Sequence, residues 1–553
     1  MGKNARRSRG LPYNAPMRLR GFTLVLLLLC ACKPADPKDP KTWVKRLSDS
    51  DPQVRQKAVQ QLRKLKAKEA APQVAELLKD IGVREEAAMA LRDIGGPAEV
   101  PALLDAVDTT VGAGSDTATR AANRTNSRVA EALGEIGDPR AGPALLRLAR
   151  SKDDLVRIEA VQALGEVKFK EAIPELSLLV DDQAAPPLLL KKAIVALGQI
   201  GDPAAIPALQ HALVLERQGV SFLPEASYAL FQLGRAAVEP MIRLAKDEDA
   251  AYLKWARDNN RPPAGTYAKA ALVLGDFGDA RAVPVLIDKL RYRDSDPNPG
   301  TARILTNLVR QFAANALGRL RAKEAAAPIL ALVQTKDPQD IDLVTFCAEA
   351  LIWTGDRSVA KEMMKRAETG DIRLRAVVAQ AAALLGDESV LRQFEAISTR
   401  ARKAPAAQCT REVEALQMGD AGDKACDAIA TQFEGVAQPL FAFRTCKDSA
   451  PCWLDKLKDP EPLIRARAAY ELGRQGTGQA VPPLVQAAAD QDLVTRVAAI
   501  RALEWLIGVP AAQPQLKAAA EKLSAQLAAE QGRDQFVKVN EELRRLQARL
   551  AHL

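Results

Sequence analysis

Histidine is almost missing from this chain of 553 residues: only His211 and His552 occur. A Ser-His-Asp or Cys-His mechanism and a His-rich zinc site therefore lack raw material. His211 reads as a polar-face residue of a helix, not as a base. There is no CxxC, no HExxH and no Gly-rich phosphate loop followed by Lys-Ser/Thr. Gly112-Ala-Gly114 follows no strand and reads as a flexible loop. Nothing calls for a metal or a cofactor, and no catalytic residue stands out. Carboxylates are abundant, but no acid pair of the glycosidase type is singled out by the sequence. Aromatic residues make up only 4% of the chain. The apolar run at 22–29 (FTLVLLLL) is far below the ~20 residues that a membrane-spanning helix needs.

What the chain has in quantity is self-similar helical text. The stretch VALGQIGDPAAIPALQHAL (195–213) reads as a helix end, a turn at Gly201-Asp202-Pro203 and a second helix. Similar text recurs at 131–149, 162–180, 228–246 and 272–290. Gly stands where a helix ends in a left-handed conformation, and Pro where the next helix begins without an N–H. Ala196, Leu197, Ile200, Ile206 and Leu209 put one apolar stripe on each helix, so pairs must stack to bury them. The turn residues align at Lys66, Gly95, Gly137, Lys168, Gly201, Gly234, Gly278, Arg321, Gly355, Gly386, Gly419, Gly476 and Ile507. Several steps are 31–34 residues and three are 42–44, which is the period of a helical solenoid. Asp51, Asp153, Asp459 and Asp492 precede first helices as candidate caps, with Arg55, Arg157, Arg465 and Arg496 about a turn in.

The text VRxxAxxALGxIGDxxAxPxLxxL resembles a HEAT repeat, in the short form associated with phycobilisome-lyase proteins. The resemblance covers most of 43–510, departs from pattern at Lys168 and Arg321, and is weakest across 395–455. It implies an all-α chain: an α-solenoid of about 11–13 stacked helix pairs. It also implies that the Asp and Arg residues pair along the stack as structure, and that the second helices line the concave side. After Val509-Pro510 the repeat text ends. Residues 511–553 read as a C-terminal helical cap, in which Phe536, Val539, Leu543, Leu546 and Leu550 follow 3-4-3-4 spacing; a short coiled-coil surface is the alternative.

The front of the chain is a separate matter. Residues 1–21 carry Lys3, Arg6, Arg7, Arg9, Arg18 and Arg20 with no acid, and the apolar run that follows ends in Leu29-Cys30-Ala31-Cys32. This resembles a bacterial lipoprotein signal peptide with its lipobox, which implies cleavage after Ala31 and lipidation of Cys32. Cys30 is the weaker acceptor, Met17 is an alternative start, and an uncleaved anchor is the competing reading. Residues 33–42 (KPADPKDPKT) then read as a tether. Lys33, in place of the Asp that often retains lipoproteins at the inner membrane, points to the periplasmic face of the outer membrane. The formal charge of +9 includes +6 in residues 1–32, leaving +3, so the basic balance gives no case for nucleic acid.

Export permits disulfides. Cys446 and Cys452 make one candidate loop, Cys409 and Cys426 another, and Cys347 in LVTFCAEALIW reads as a buried free thiol. Trp453 is expected to pack beside the first of these, and Trp353 and Trp505 in the core. Insertions within 107–128, 247–267 and 292–301 all fall between a second helix and the next first helix, so they are expected to project from one edge. The second carries Tyr252, Trp255 and Tyr267, which either anchor a protein partner or pin the insertion to the repeat body. On the second helices, Arg147, Arg150, Gln210, Arg243, Lys289 and Arg291 are further partner-binding candidates, and their mixed polar character favours a protein partner. The expected function is a lipid-anchored, non-enzymatic scaffold that binds a protein in a bacterial cell envelope. The repeat's resemblance supplies the alternative, a lyase or lyase accessory acting on a partner's prosthetic group.

Overall fold

The local unit follows from a few residues. The Pro187–Ile200 helix stops at Gly201, whose φ of +73° is the left-handed region. Asp202 then accepts a hydrogen bond from the Ala204 amide (3.0 Å), capping the one-turn 3₁₀ helix Pro203–Ala205. The Ile206–Val214 helix starts with Pro in its first turn, where no N–H is needed. This is a computed structural model; residues 36–110, 112, 114, 116–530 and 537–550 are described. The signal segment with Cys32, and also Phe536 and His552, lie outside the described residues.

The same unit repeats through the chain, with two kinds of departure from the alignment. Lys66, Lys168 and Arg321 take positive φ (53°, 53° and 55°) without being glycine, so docking of the second helix on the first imposes the turn. Gly95 and Gly386, expected to be left-handed, are extended instead (φ −75° and −71°), and Gly508 after the Leu493–Ile507 helix has φ −74°.

First helices stack in one row, and the row is held by close approach of small residues. A Cβ on Gly165 would stand 2.6 Å from the Ala196 Cα, and one on Gly198 would stand 2.8 Å from the Ala229 Cα. Gly134 on Ala163 and Gly473 on Ala502 repeat the contact. Large aliphatics such as Leu133, Leu164, Leu197 and Leu230 are fully buried beside these glycines. Asp51, Asp153 and Asp492 cap first helices as expected from the sequence, whereas Asp459 caps the Glu461 amide and Glu461 itself is the helix cap. Arg55 reaches Asp80 and Arg465 reaches Asp490 (2.8 Å), tying neighbouring pairs together.

The array does not run straight to its end. Helices Leu391–Arg402, Ala406–Ala415, Ala425–Val436, Gln438–Cys446 and Ala450–Lys456 make a bend. Beyond it, Pro462–Gln475, Leu493–Ile507 and Val537–Leu550 lie against first helices of the earlier limb. The interface between limbs is largely polar. A closed ring of alternating charge runs from Asp276 to Arg319 (2.5 Å), Glu504 (3.3 Å), Arg501, Glu542 (2.8 Å), Arg545 (3.6 Å) and back to Asp276 (3.8 Å). Beside it the Trp353 indole donates to the Tyr470 hydroxyl (3.2 Å), and Arg501 stacks 4.1 Å above the Trp353 ring. Arg467, fully buried, donates to the carbonyls of Ala383 (2.9 Å) and Gly386 (2.8 Å), satisfying carbonyls at the buried C-terminal end of the Ile372–Leu385 helix. Burial lowers its pKa below the usual guanidinium value, and Glu471 opposes that shift.

Other expectations are corrected by the described residues. The tether ends earlier than expected: Asp39 caps a short Pro40–Val44 helix, and Trp43 is buried with its indole donating to the Pro37 carbonyl (2.8 Å). Two insertions lengthen first helices, Thr117–Ile136 and Pro299–Arg319, and the middle one builds an added helix, Ala250–Asp258. A small antiparallel hairpin, Glu216–Arg217 with Val220–Ser221, turns at Gln218-Gly219, a signal not read from the sequence. The cap covers the last repeat and also meets the earlier limb through Arg545 and Asp276.

Two outcomes are expected. Gly198→Ala forces Cβ into Ala229 and is expected to destabilise by about 1–3 kcal/mol, against the helix preference for Ala. Gly265→Ala, with nothing within 4 Å of its Cβ, is expected to be neutral or mildly stabilising in the same urea titration. Burial alone would raise the Glu504 carboxyl, but Arg501 and Arg319 hold it well below its ordinary value. Its contribution is therefore present above the unfolded carboxylate pKa of about 4.3 and is lost as pH falls further. Glu504→Gln leaves Arg319 and Arg501 short of a counter-charge, so a loss of about 3–5 kcal/mol at neutral pH is expected, with a flatter acid limb of stability.

Candidate functional site

Three places were available for function: the 247–267 insertion, the second-helix row and the clefts. In the insertion, Asp249 caps the added helix by accepting from the Tyr252 amide (3.0 Å). Tyr252 is buried, its hydroxyl meets Thr266 Oγ1 at 2.9 Å, and burial pushes its pKa up to about 12. Trp255 stacks flat on His211, with centroids 3.9 Å apart and planes at 3°, and its indole donates to Asp181 (3.1 Å). Asp181 also meets His211 Nδ1 at 2.9 Å. Tyr267 donates to Asp247 (2.5 Å), and the Lys289 ammonium sits 3.7 Å above its ring. Burial raises the Tyr267 phenol and lowers the Lys289 ammonium.

These residues are used up in holding the insertion to the repeat body. Tyr252, Tyr267, Lys289 and Gln210 are all buried, and Gln210 donates to the Pro240 carbonyl (3.2 Å). As partner anchors they are corrected: an anchor must offer surface, and these have none to offer. Trp255 is half-buried and engaged on two sides. Arg147, Arg150, Arg243 and Arg291 remain exposed, with Arg150 held to Glu175 (2.9 Å). They share their side with Leu178, which is 70% exposed on the Ile173–Asp181 helix. Leu178 occupies the place of Arg147 in the next pair, a signal present in the sequence alignment but unread there.

The fold-back creates a cleft of about 830 Å³ under the C-terminal helix. Val195, Leu223, Phe231 and Leu272 give it an apolar wall, and Arg544, Arg545 and Arg549 enter from the opposite side. Lys191 within it is paired to Glu225 at 2.6 Å. Nothing in the sequence reading located this cleft, because it depends on contact between residues some 270–350 apart.

The structure pairs Cys409 with Cys426 and Cys446 with Cys452, with Cα atoms 4.9 and 5.3 Å apart. Both bridges lie in the bend. Trp453 is buried there, donating to the Lys447 carbonyl (2.7 Å). Cys347 is free and buried, its thiol pushed up to about 12 by desolvation. Among the described residues no cluster of three or more His, Cys, Asp or Glu is placed to hold a metal. No described helix is long and apolar enough to cross a membrane.

Comparison with known families places HEAT repeats at 40–123, 117–164, 146–220 and 450–531. The PBS lyase HEAT-like repeat matches 267–292 and 309–335. No curated sequence matches. Among solved structures, yeast importin-β (Kap95p) is similar over 89% of this chain and 69% of that chain, with 13% identity and a TM-score of 0.37. The complex of CpcE and CpcF of phycocyanin lyase from Nostoc sp. PCC7120 is 21% identical over 57% of this chain and 94% of that chain, with a TM-score of 0.24. Human deoxyhypusine hydroxylase is 21% identical over 53% and 98%, with a TM-score of 0.21. None of these likenesses carries an activity across.

The cysteine arrangement gives a direct test. Native chain treated with iodoacetamide at neutral pH is expected to leave Cys347 unmodified, since a thiol with a raised pKa and no exposure has no reactive thiolate. Unfolding without reductant is expected to expose Cys347 alone among the five cysteines after residue 32. Peptide mass mapping checks both, and native alkylation of Cys347 would contradict the burial.

Proposed function

Since this chain is a HEAT-repeat protein, we propose that it is a lipid-anchored, non-enzymatic scaffold that binds a protein partner in a bacterial cell envelope. One observation carries the reading. Arg147, Leu178, Arg243 and Asp288 lie nine or ten residues after the turns at Gly137, Lys168, Gly234 and Gly278, and all four are exposed, while the pair at Gly201 places buried Gln210 and half-buried His211 there. An exposed aliphatic side chain among arginines and an acid is the composition of a protein-binding surface, in which Arg is a favoured hot spot. A polyanion would select one sign of charge. The shortage of histidine in the sequence supports a non-enzymatic role. The lipobox-like Leu29-Cys30-Ala31-Cys32 supports the anchor, and Lys33 supports an outer-membrane, periplasm-facing location. The lyase alternative rests on the repeat alone, and likeness of fold does not transfer activity.

The test is crosslinking from cell envelopes with the full lipidated chain, beside an Arg147→Glu, Leu178→Glu, Arg243→Glu variant. Deleting 247–267 would be a poor control, because it removes buried Tyr252 and Tyr267 from the body. One partner is expected, captured about tenfold less by the variant with an unchanged melting curve. Equal capture would remove the second-helix surface from consideration. Cys32→Ser is expected to lose acyl labelling and membrane association together; retention at the membrane would rule out the lipid anchor.

A further inference from the structure

Among the described residues, the network between the limbs carries more guanidinium than carboxylate. Asp276, Glu504 and Glu542 supply three carboxylates, and Arg319, Arg501 and Arg545 match them around the ring. Arg549 is a fourth guanidinium at the same place, and no carboxylate among the described residues lies within 4 Å of it. It lies against the C-terminal end of the Pro263–Phe277 helix, where Nη2 stands 3.4 Å from a Cβ built on Gly278. A helix end supplies only a fractional negative charge. Desolvation accordingly lowers the Arg549 pKa, with Glu504 and Asp276 opposing. A cation left part-desolvated without a full counter-charge is costly unless something else brings the charge.

Arg549 faces the cleft of about 830 Å³, and exposed Arg544 borders the same space. Across from them Val195, Leu223, Phe231 and Leu272 form an apolar wall. The carboxylates that also line the cleft are paired, Glu225 with Lys191 and Asp276 with Arg319, so an apolar wall faces convergent guanidinium groups, the make-up of a site that takes a small molecule in one orientation. We propose that this cleft binds an anionic amphiphile, its carboxylate or phosphate on Arg549 and Arg544 and its hydrocarbon on the Val195–Leu272 wall. A free fatty acid and a lysophospholipid share this chemistry, and the proposal is independent of the scaffold reading above. The ligand completes the charge count of the interlimb network, so its binding also tightens the fold-back.

The experiment is thermal unfolding of the full chain with decanoate, decyl phosphate, uncharged decanoyl glycerol or inorganic phosphate, all below micellar concentration. The wild-type chain, Arg549→Gln and Arg544→Gln are compared. Decanoate or decyl phosphate is expected to raise the melting temperature of the wild-type chain, and which of them acts identifies the headgroup. Arg549→Gln is expected to melt higher than wild type without ligand, because an unmatched charge is gone. It is also expected to bind the active amphiphile at least about tenfold more weakly. Arg544→Gln, at the surface, is expected to weaken binding without changing the unliganded melt. The proposal is overturned if decanoyl glycerol acts as well as the anions, if inorganic phosphate alone gives the full shift, if no amphiphile shifts the melt, or if Arg549→Gln retains wild-type binding.

Discussion

The constraint on which the molecule depends is the distance between successive first helices. Gly165 on Ala196, Gly198 on Ala229 and Gly473 on Ala502 bring backbones close enough that a single methyl would collide. At that spacing the leucines flanking each glycine interdigitate with the next helix, and contacts of this kind are lost quickly when surfaces separate. Each pair buries its stripe only through its neighbours, so the close approach recurs along the row, again at Gly275 on Ala316 and Gly318 on Ala350. The turn is a consequence of the same demand. Lys66, Lys168 and Arg321 hold left-handed conformations that cost roughly 1–2 kcal/mol in isolation, because the second helix cannot dock on the first otherwise.

The second level of organisation uses different chemistry. The C-terminal limb returns against the earlier one through arginines, carboxylates and aromatic rings in place of a continuous apolar seam. Arg501 shows the logic: one guanidinium meets Glu504 and Glu542 and lies over Trp353, so charge, hydrogen bonding and ring contact are satisfied together. Arg467 does the same with Glu471, two helix-end carbonyls and the Phe443 ring. Ion pairs of this kind add little over a well-packed apolar isostere, but a wrong register would leave buried charge unmatched. They therefore fix the register of one limb on the other. The disulfide-bridged bend brings the limbs near, and the charge pattern sets how they meet.

The repeat was legible in the sequence because it is local. Gly201, Asp202 and Pro203 carry their own conformational preferences, and the alignment of the rest multiplies the signal. The fold-back was not legible, since Arg319 and Glu504 are 185 residues apart and nothing in either helix names the other. A trace was present: Glu471 stands where most other repeats carry Ala, and Glu504 where many carry Gly. Read alone they look like solvated charges. The aromatic trio Tyr252, Trp255 and Tyr267 shows the opposite limit, because sequence offered both an anchoring and a pinning role and only burial chose between them. Cys409 with Cys426 was a matter of proximity in sequence, which is why that pair could be named while the bend it lies in could not.

Folding back also divides the surface. The interlimb contacts engage first helices from Asp276 to Gly386, so that stretch of the first-helix side is occupied by the chain itself. The second-helix side keeps its exposed Arg147, Leu178, Arg243 and Asp288, and the first two lie in pairs that precede Lys191. On the proposed anchoring, lipid at Cys32 would hold these N-terminal pairs nearest the membrane and leave the braced part of the array beyond them. A partner bound near Arg147 and Leu178 would then sit close to the lipid surface. The cleft under the C-terminal helix lies where the two limbs touch, so occupancy there acts on the brace and not on that surface. The two sites can thus be varied one at a time, through side chains that share no contact.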